Sequence, residues 1–139
     1  LDINVLLLKH PPNRFETFED EVQYIITHSQ RNKFINNLAL DLKGNTLILF
    51  ARVEGHGEPL FTMINNNTKN NRHVFFVHGG VATEDRKGSN KTKATLYDIA
   101  DDISYKSRRN YTLNHLIERI KIYNEENFNY DIVNIPLKK

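Results

Sequence analysis

The stretch TLILFARVEGHGEPL, residues 46–60, joins an apolar run to a glycine-containing loop. Thr46–Val53 is almost unbroken in apolar and β-favouring residues and does not alternate between polar and apolar positions. Such a run is typical of a strand that is covered on both faces, as in the middle of a parallel sheet. Gly55-His56-Gly57 breaks the run, and Pro59 suits the first turn of a helix. The stretch predicts a central strand, a glycine loop and a helix start, with backbone N–H groups beyond the carboxyl end of the strand.

A second apolar run, His73–Val77, also ends in a loop that carries histidine and glycine, His78-Gly79-Gly80. A third strand is expected over Lys93–Ala100 and an edge strand over Phe128–Leu137. Because the carboxyl ends of parallel strands meet at one edge of a sheet, both His-Gly loops are expected at that edge. The pattern predicts a doubly wound α/β domain that handles a nucleotide or a nucleic acid.

Helical spacing of apolar residues predicts the helices that flank this sheet. A capping box at Thr17–Asp20 begins the first helix, and Ser29 is expected to cap a second helix that stops at Gly44. We expect Arg31 and Lys33 on the solvated face of the second helix. A short helix should follow the first glycine loop, and a longer one should run over Tyr111–Glu126.

Length and composition are those of one ordinary globular domain. The chain has 139 residues, of which 39% are hydrophobic and 26% are charged. It contains no cysteine, which excludes disulfides and thiol chemistry and fits a reducing cytoplasm. No apolar run approaches the length of a membrane span. The chain begins with Leu1 rather than Met, and we interpret it as a fragment.

The net charge of +2 does not indicate a class of binding partner, but the basic residues are distributed unevenly along the chain. Between residues 69 and 93, six basic residues stand against Glu84 and Asp85, which leaves a local excess of +4. The basic residues are Lys69, Arg72, Arg86, Lys87, Lys91 and Lys93. A local basic surface of this kind is suited to phosphate backbones, although a solvated loop would have the same composition.

Motifs for self-contained catalysis are missing from the sequence. It has no Gly-x-x-x-x-Gly-Lys-Ser/Thr phosphate loop, and no Ser–His–Asp pattern is recognisable. Asp98, Asp101 and Asp102 lie near a strand end, but isolated aspartates there are more often caps and turn formers than magnesium ligands. No metal site is therefore predicted. The residues alone indicate a phosphate-facing α/β domain without its own catalytic centre.

Several stretches of the chain, in order, resemble the second motor lobe of UvsW-type phage recombination helicases of superfamily 2. The matching stretches cover nearly the whole chain: NKFIxNLAL at 32–40, KGNTL at 43–47, HGxxLF at 56–61, VHGGVxTEDR at 77–86, KTxATxxDxxDD at 91–102 and FNY at 128–130. Their number and their order make this a more specific signal than any single glycine pattern.

The resemblance implies an α/β fold for residues 1–139: the C-terminal RecA-like lobe of a P-loop NTPase helicase, with a parallel sheet flanked by helices and a C-terminal helix and strand. It also implies an ATP-dependent DNA helicase that acts on branched DNA in recombination, repair and replication restart. ATP and Mg²⁺ would be bound mainly by a first lobe that is absent here, so this chain alone is expected to be inactive. Branched or single-stranded DNA and ATP are the implied partners, for a monomer in the host cytoplasm that binds no membrane.

The same resemblance implies which residues bind DNA. Residues 47–60 correspond to helicase motif IV, and residues 75–86 correspond to the next element that approaches the nucleic-acid backbone. The implied nucleic-acid-binding residues are Arg52, His56, Gly57, His78, Gly79, Gly80, Arg86 and Lys87. Each histidine in these loops could instead form a hydrogen bond that caps its loop.

One departure from the family concerns the junction between Arg86 and Lys87. A helix, two strands, motif V and motif VI with its arginine finger should lie there, which needs roughly 40 to 60 residues. Either the segment is deleted or the sequence joins two flanks of a longer chain; we favour the second, because a deletion would remove interior strands. The catalytic arginine finger is therefore expected to be missing, with Arg86 as a weak candidate for it.

Two other functions remain open from the sequence. The chain could be a non-catalytic nucleic-acid-binding module derived from a helicase lobe. It could also be a small-molecule α/β enzyme that uses its glycine loops to bind a nucleotide.

Overall fold

The computed structural model describes residues 2–44, 46–50, 52–68, 72–76 and 95–137. The chain divides into two compact units, which we name for the elements they contain. The sheet unit comprises Leu1–Ile25 and Lys91–Lys139, and the helical unit comprises Ile26–Asn90. The single lobe expected over residues 1–139 stays a prediction.

The described residues of the sheet unit form three strands and two helices, in an alternating α/β order. They are β1 (Asp2–Lys9), α1 (Phe18–Ile26, whose last residue begins the helical unit), β2 (Thr95–Asp102), α4 (Tyr111–Glu125) and β3 (Asn129–Pro136). The helical unit contains α2 (Ser29–Asp41), a π-helical turn (Val53–Gly57) and α3 (Glu58–Asn67). None of the helices formed by these described residues has both the length and the apolar character that a bilayer crossing requires.

Strand β1 is the centre of the sheet, because it pairs in parallel with β2 on one edge and with β3 on the other. Val5 and Leu6 are adjacent and both buried, so β1 is covered on both faces. The register places Lys9 beside Asp102 and beside Pro136. The three strands therefore end level with one another at a single carboxyl edge.

Helix α4 packs on one face of this sheet and closes its core. The core cluster joins residues of β1, β2 and α4: Ile3, Val5, Ala100, Leu113, Leu116 and Tyr123. The helix predicted over residues 111–126 and the edge strand predicted over residues 128–137 are confirmed to within one residue at each end. The third predicted strand is also confirmed, displaced by two residues toward the C-terminus. The α/β fold class, a parallel sheet with flanking helices, is thereby confirmed.

The prediction that Thr46–Val53 forms the central strand is wrong. The described residues 46–50 belong to no strand, and Val53 begins the π-helical turn instead. Leu47 and Leu49 are each 80% exposed, so this apolar run is not buried on both faces. Apolar composition favours a strand only where a neighbouring strand completes its hydrogen bonds. In the described sheet, β1 has two such neighbours.

The strand predicted over His73–Val77 is also absent from residues 73–76, and Val77 lies outside the described residues. Phe75 is 72% exposed, whereas Val74 and Phe76 are half-buried. The side chains thus alternate between exposed and half-buried positions, as in an extended segment with one covered face.

Two expectations for α2 are corrected at its first turn. The cap is His28 rather than Ser29, since His28 Nδ1 accepts a hydrogen bond of 3.2 Å from the backbone N–H of Arg31. Arg31 itself is buried, not solvated. The helix ends at Asp41, and Gly44 follows it with a positive φ of 81°.

The Thr17 cap predicted for α1 is present, because Thr17 Oγ1 accepts a 3.1 Å hydrogen bond from the N–H of Asp20. The next residue in that helix, Glu21, has a different role and is completely buried. Its carboxylate accepts hydrogen bonds from the N–H groups of Tyr111 (2.8 Å) and Thr112 (2.7 Å). A buried side chain of α1 therefore caps the N-terminus of α4, where the helix dipole favours a negative charge.

Asn110 completes this cap from the other side. Its side-chain NH₂ donates to Glu21 (3.1 Å) and to the carbonyl of Asp101 (3.0 Å), and its Oδ1 accepts from the N–H of Ile103 (2.9 Å). Every polar atom of this buried amide is thus used. The network fixes the end of β2 against the start of α4.

Replacement of Glu21 should destabilise the chain through this cap. Glu21→Ala leaves two backbone donors of α4 without their acceptor, and we expect a loss of about 3 kcal/mol in the free energy of unfolding. Glu21→Gln keeps one acceptor oxygen and should lose less. Urea-induced unfolding followed by circular dichroism measures both.

The matched control is Asp20→Ala, which removes an exposed carboxylate from the same helix turn. It should cost less than about 1 kcal/mol, because only an interaction with the helix dipole is lost. Equal losses for Glu21→Ala and Asp20→Ala would contradict the capping role.

Candidate nucleic-acid interface

The nucleic-acid-binding residues expected from the sequence fall into two groups. Arg52, His56 and Gly57 lie in and next to the π-helical turn of the helical unit. The remaining five lie outside the described residues: His78, Gly79, Gly80, Arg86 and Lys87. The candidate site is therefore built from the π-helical turn and its surroundings.

The turn is closed by backbone hydrogen bonds to the carbonyl groups of Arg52 and Val53, and the Val53 carbonyl accepts from the N–H of Glu58. The oxygen of Arg52 accepts hydrogen bonds from the backbone N–H of His56 (3.2 Å) and of Gly57 (2.8 Å). The second bond spans five residues, which gives the wider π-type turn, and such turns are frequent at functional sites. The chain then continues directly into α3, with Pro59 in its first turn as predicted.

His56 is buried and forms a hydrogen bond within the unit. Its Nε2 lies 3.1 Å from Asn32 Oδ1, and the NH₂ group of Asn32 donates to the carbonyl of Ile26 at 2.9 Å. Because the Asn32 oxygen can only accept, Nε2 of His56 must carry a proton. This is the structural hydrogen bond that was the alternative to phosphate contact. Direct contact between His56 and DNA stays a prediction.

Gly57 is required by a close approach of an aromatic ring. A Cβ atom at this position would lie 2.5 Å from Cε2 of Phe50. The Phe50 ring is stacked on Phe76, with 5.6 Å between centroids and 17° between planes. Phe61 of α3 contacts the same Phe76 ring at 5.4 Å. The turn thus rests on a small aromatic cluster that leaves no room for a Cβ at residue 57 unless the Phe50 ring moves.

Arg72 is one of the six basic residues that suggested a phosphate-facing surface, and it has a structural role. Its guanidinium group donates to the carbonyl oxygens of Ala39 (3.2 Å) and Gly44 (3.1 Å). These bonds satisfy carbonyl groups at and beyond the C-terminal end of α2. The other five basic residues of that group lie outside the described residues.

The aspartates considered as magnesium ligands are all bonded to other side chains: Asp98 to Arg119 and Tyr123, Asp101 to His10, and Asp102 to Lys9. The Asp98 carboxylate accepts two hydrogen bonds from Arg119 (2.8 and 2.9 Å) and one from the hydroxyl of Tyr123 (2.6 Å). Burial and the bond to Asp98 raise the pKa of Tyr123 to about 12. The carboxylate therefore holds β2 to α4.

The other two aspartates lie at the carboxyl edge of the sheet. Asp101 Oδ1 is 2.7 Å from Nε2 of His10, and both side chains are buried. Asp102 pairs with Lys9. Burial alone would raise the pKa of Asp102, but hydrogen bonds from Lys9 and Ser104 hold it below its usual value. Among the residues that the structure describes, no three His, Cys, Asp or Glu side chains form a metal-binding group.

Among the described residues, four buried polar side chains received no role from the sequence: His10, Glu21, Asn36 and Asn110. His10 directly follows an apolar strand, and this position at a strand end was the available signal. Glu21 carries no local signal, because its partners Asn110, Tyr111 and Thr112 are about ninety residues away along the chain. Asn110 is the residue before the first turn of α4, so its position at a helix start was the available signal.

The two glycines of the π-helical turn give a matched test of its packing. Gly57→Ala should displace the Phe50 ring and cost about 1–3 kcal/mol. Gly55→Ala should remain within about 1 kcal/mol of wild type, because its Cβ would lie 3.1 Å from the terminal Cδ1 of Ile26 and 4.0 Å from Cβ of Arg52. Thermal unfolding of both variants measures the difference, and equal stabilities would contradict the close approach at Gly57.

Comparison with known proteins finds a relative in both sequence and structure. No protein-family model matches the chain. The ATP-dependent DNA helicase UvsW of Enterobacteria phage T4 is 25% identical over 207 aligned residues, covering 99% of this chain and 41% of UvsW. The crystal structure of T4 UvsW matches the fold with a TM-score of 0.75 at 23% identity, covering 99% of this chain and 42% of that protein.

The alignment is longer than the chain. It spans 207 positions against 139 residues, so at least 68 aligned positions (207 − 139) have no residue here. The chain also spans only about two fifths of the length of its relative. Within those bounds, sequence and fold together identify the chain as a homologue of the C-terminal part of the T4 UvsW helicase.

Proposed function

We propose that this chain is part of the C-terminal motor lobe of an ATP-dependent DNA helicase that acts on branched DNA in recombination, repair and replication restart. The observation that carries the proposal is the match to the C-terminal part of UvsW over 99% of the chain. The protein would act as a monomer in the cytoplasm of the host cell.

The chemical work of such a motor would be divided between two lobes. ATP and Mg²⁺ would be bound mainly by a first lobe outside this sequence. An arginine finger, for which Arg86 is a weak candidate here, would stabilise charge on the transferring phosphoryl group. The described residues do not fit a Mg²⁺ site, since Asp98, Asp101 and Asp102 are all paired with cations or histidine. We therefore assign no step of ATP hydrolysis to the described part of the chain.

The work left to this lobe is to hold DNA by its phosphates. Arg52, His56 and Gly57 lie on one rigid turn, and the buried hydrogen bond between His56 and Asn32 fixes that turn. Arg52 is half-exposed at the start of the turn. Backbone contacts of this kind carry no sequence information, so binding should be tolerant of sequence and sensitive to salt.

The aligned positions that have no residue in this chain favour a second candidate function. At least 68 positions are unmatched, and the apolar side chains of Leu47, Leu49 and Phe75 are exposed. A chain that lacks motifs V and VI could still bind DNA without coupling to ATP. The alternative is therefore a non-catalytic DNA-binding module derived from a helicase lobe.

A complementation assay distinguishes the two functions. The chain is mixed with a separately expressed first lobe, and ATP hydrolysis is measured with and without branched DNA. Hydrolysis stimulated by DNA supports the motor lobe. No stimulation, even after a motif V–VI segment is inserted between Arg86 and Lys87, supports the binding module.

For the chain alone we expect DNA binding without ATP hydrolysis. The logarithm of the association constant for single-stranded DNA should fall linearly with the logarithm of the salt concentration, by about 0.7 per phosphate contact. Fluorescence anisotropy and a phosphate-release assay measure the two properties. Tight nucleotide binding that needs no DNA and is unaffected by salt would instead indicate a small-molecule enzyme.

A further inference from the structure

The sheet unit contains an open cleft of about 850 Å³ that the proposed function does not use. It is formed by the loops that follow β1 and β2, at the carboxyl edge of the sheet. Ligands of parallel α/β sheets bind at this edge. Arg14 of the first loop and Arg108 and Arg109 of the second loop line the cleft.

The walls of the cleft are fixed by backbone pairing that continues beyond the strands. The N–H of His10 donates to the carbonyl of Asp102 at 3.0 Å, and the N–H of Asn13 donates to the carbonyl of Ile103 at 3.3 Å. The hydroxyl of Tyr111 donates to the carbonyl of Glu16 at 3.2 Å. The two loops are therefore held at a set distance before any ligand binds, which lowers the entropic cost of binding.

A tight turn presents an aromatic ring beside an arginine. Tyr105 and Arg108 exchange two backbone hydrogen bonds of 3.0 Å, and Lys106 between them adopts a positive φ of 54°. Residues paired directly in this way place their side chains on the same face. The Tyr105 ring is 39% exposed, and the ammonium group of Lys106 lies 5.5 Å from its centroid.

The charges of the cleft favour an anionic ligand. Arg14, Arg108 and Arg109 are exposed, and none of their guanidinium groups pairs with a carboxylate in the part of the chain that the structure describes. Of the two carboxylates that line the cleft, Glu21 is engaged by the N-terminus of α4. Only the Glu16 carboxylate remains to oppose the three arginines.

The capping of α4 decides which anion fits. A bound nucleotide commonly places its phosphates on the free N–H groups of a helix N-terminus. Here Glu21 already accepts from the N–H groups of Tyr111 and Thr112. The phosphates must therefore be met by arginine side chains, next to an exposed aromatic ring. That combination is typical of sites for single-stranded nucleic acid.

We propose that this cleft binds a single strand of DNA, with Arg14, Arg108 and Arg109 on its phosphates and a base stacked on Tyr105. The inference rests on the proposed function, to which it adds a second DNA contact separate from the π-helical turn. Arg14, Arg108 and Arg109 are positioned by the loops, and Tyr105 by its paired turn.

The test is anisotropy of the whole chain with a fluorescein-labelled oligothymidylate of about 20 nucleotides, longer than one typical binding site. Arg108→Gln combined with Arg109→Gln should weaken binding about tenfold or more at low salt and reduce the salt slope by about 1.4, or 0.7 for each lost contact. Lys121→Gln removes an exposed charge of the same unit outside the cleft, and its slope should equal that of wild type.

The ring of Tyr105 is tested separately from the charges. Tyr105→Ala should weaken binding about fivefold or more, because one stacked base is lost. Tyr105→Phe keeps the stacking surface and should bind like wild type. Thermal melts of every variant should match wild type, since these side chains are exposed.

Three outcomes would overturn the inference. If the double arginine variant binds as tightly as wild type while Arg52→Gln does not, the cleft is not a DNA site and the proposed function stands. If wild type does not bind the oligonucleotide at low salt, both fail. If ATP displaces the oligonucleotide and the double variant loses ATP binding, the cleft is a nucleotide site instead.

Discussion

The parallel pairing of β1 on both of its edges is the constraint on which the sheet unit depends. It brings Asp2–Lys9 beside Thr95–Asp102 and Asn129–Pro136, segments from opposite ends of the chain. Pairing segments so far apart in sequence costs chain entropy, because long loops must be closed. This cost is offset by the burial of β1 on both faces and by the packing of α4. All three carboxyl ends consequently meet at one edge. Asp101, Asp102, the capped start of α4 and the arginine-lined cleft all lie at that edge.

Buried polar groups then set what this edge can bind. Glu21 and Asn110 satisfy the start of α4, and Asp101 is satisfied by His10. Because these groups are already paired, they serve the fold and leave the exposed arginines to meet a ligand. The helical unit shows the same division, since buried His56 braces the turn on which half-exposed Arg52 lies. In both units, buried hydrogen bonds position cations at the surface.

The features that could be predicted from the sequence were local ones. The Thr17 cap, Pro59 at the start of α3 and the bounds of α4 follow from residues within one or two turns. The central strand was misassigned because a run such as Thr46–Val53 does not reveal whether a neighbouring strand exists to pair with it. Glu21 was missed for a related reason, since its partners are distant in sequence. The α/β fold class was nevertheless predicted correctly, because the alternation of helices and strands is itself a local pattern.

Hydrogen exchange of the whole chain, measured with and without single-stranded DNA, tests the central claim most directly. The claim is that DNA is held by surface cations at two pre-formed turns: Arg52 beside Val53–Gly57, and Arg108 in the turn that begins at Tyr105. We expect DNA to slow exchange in both turns and to leave the amides of β1 unchanged, since β1 is already paired on both edges. Unchanged exchange in both turns at a saturating DNA concentration would contradict the account.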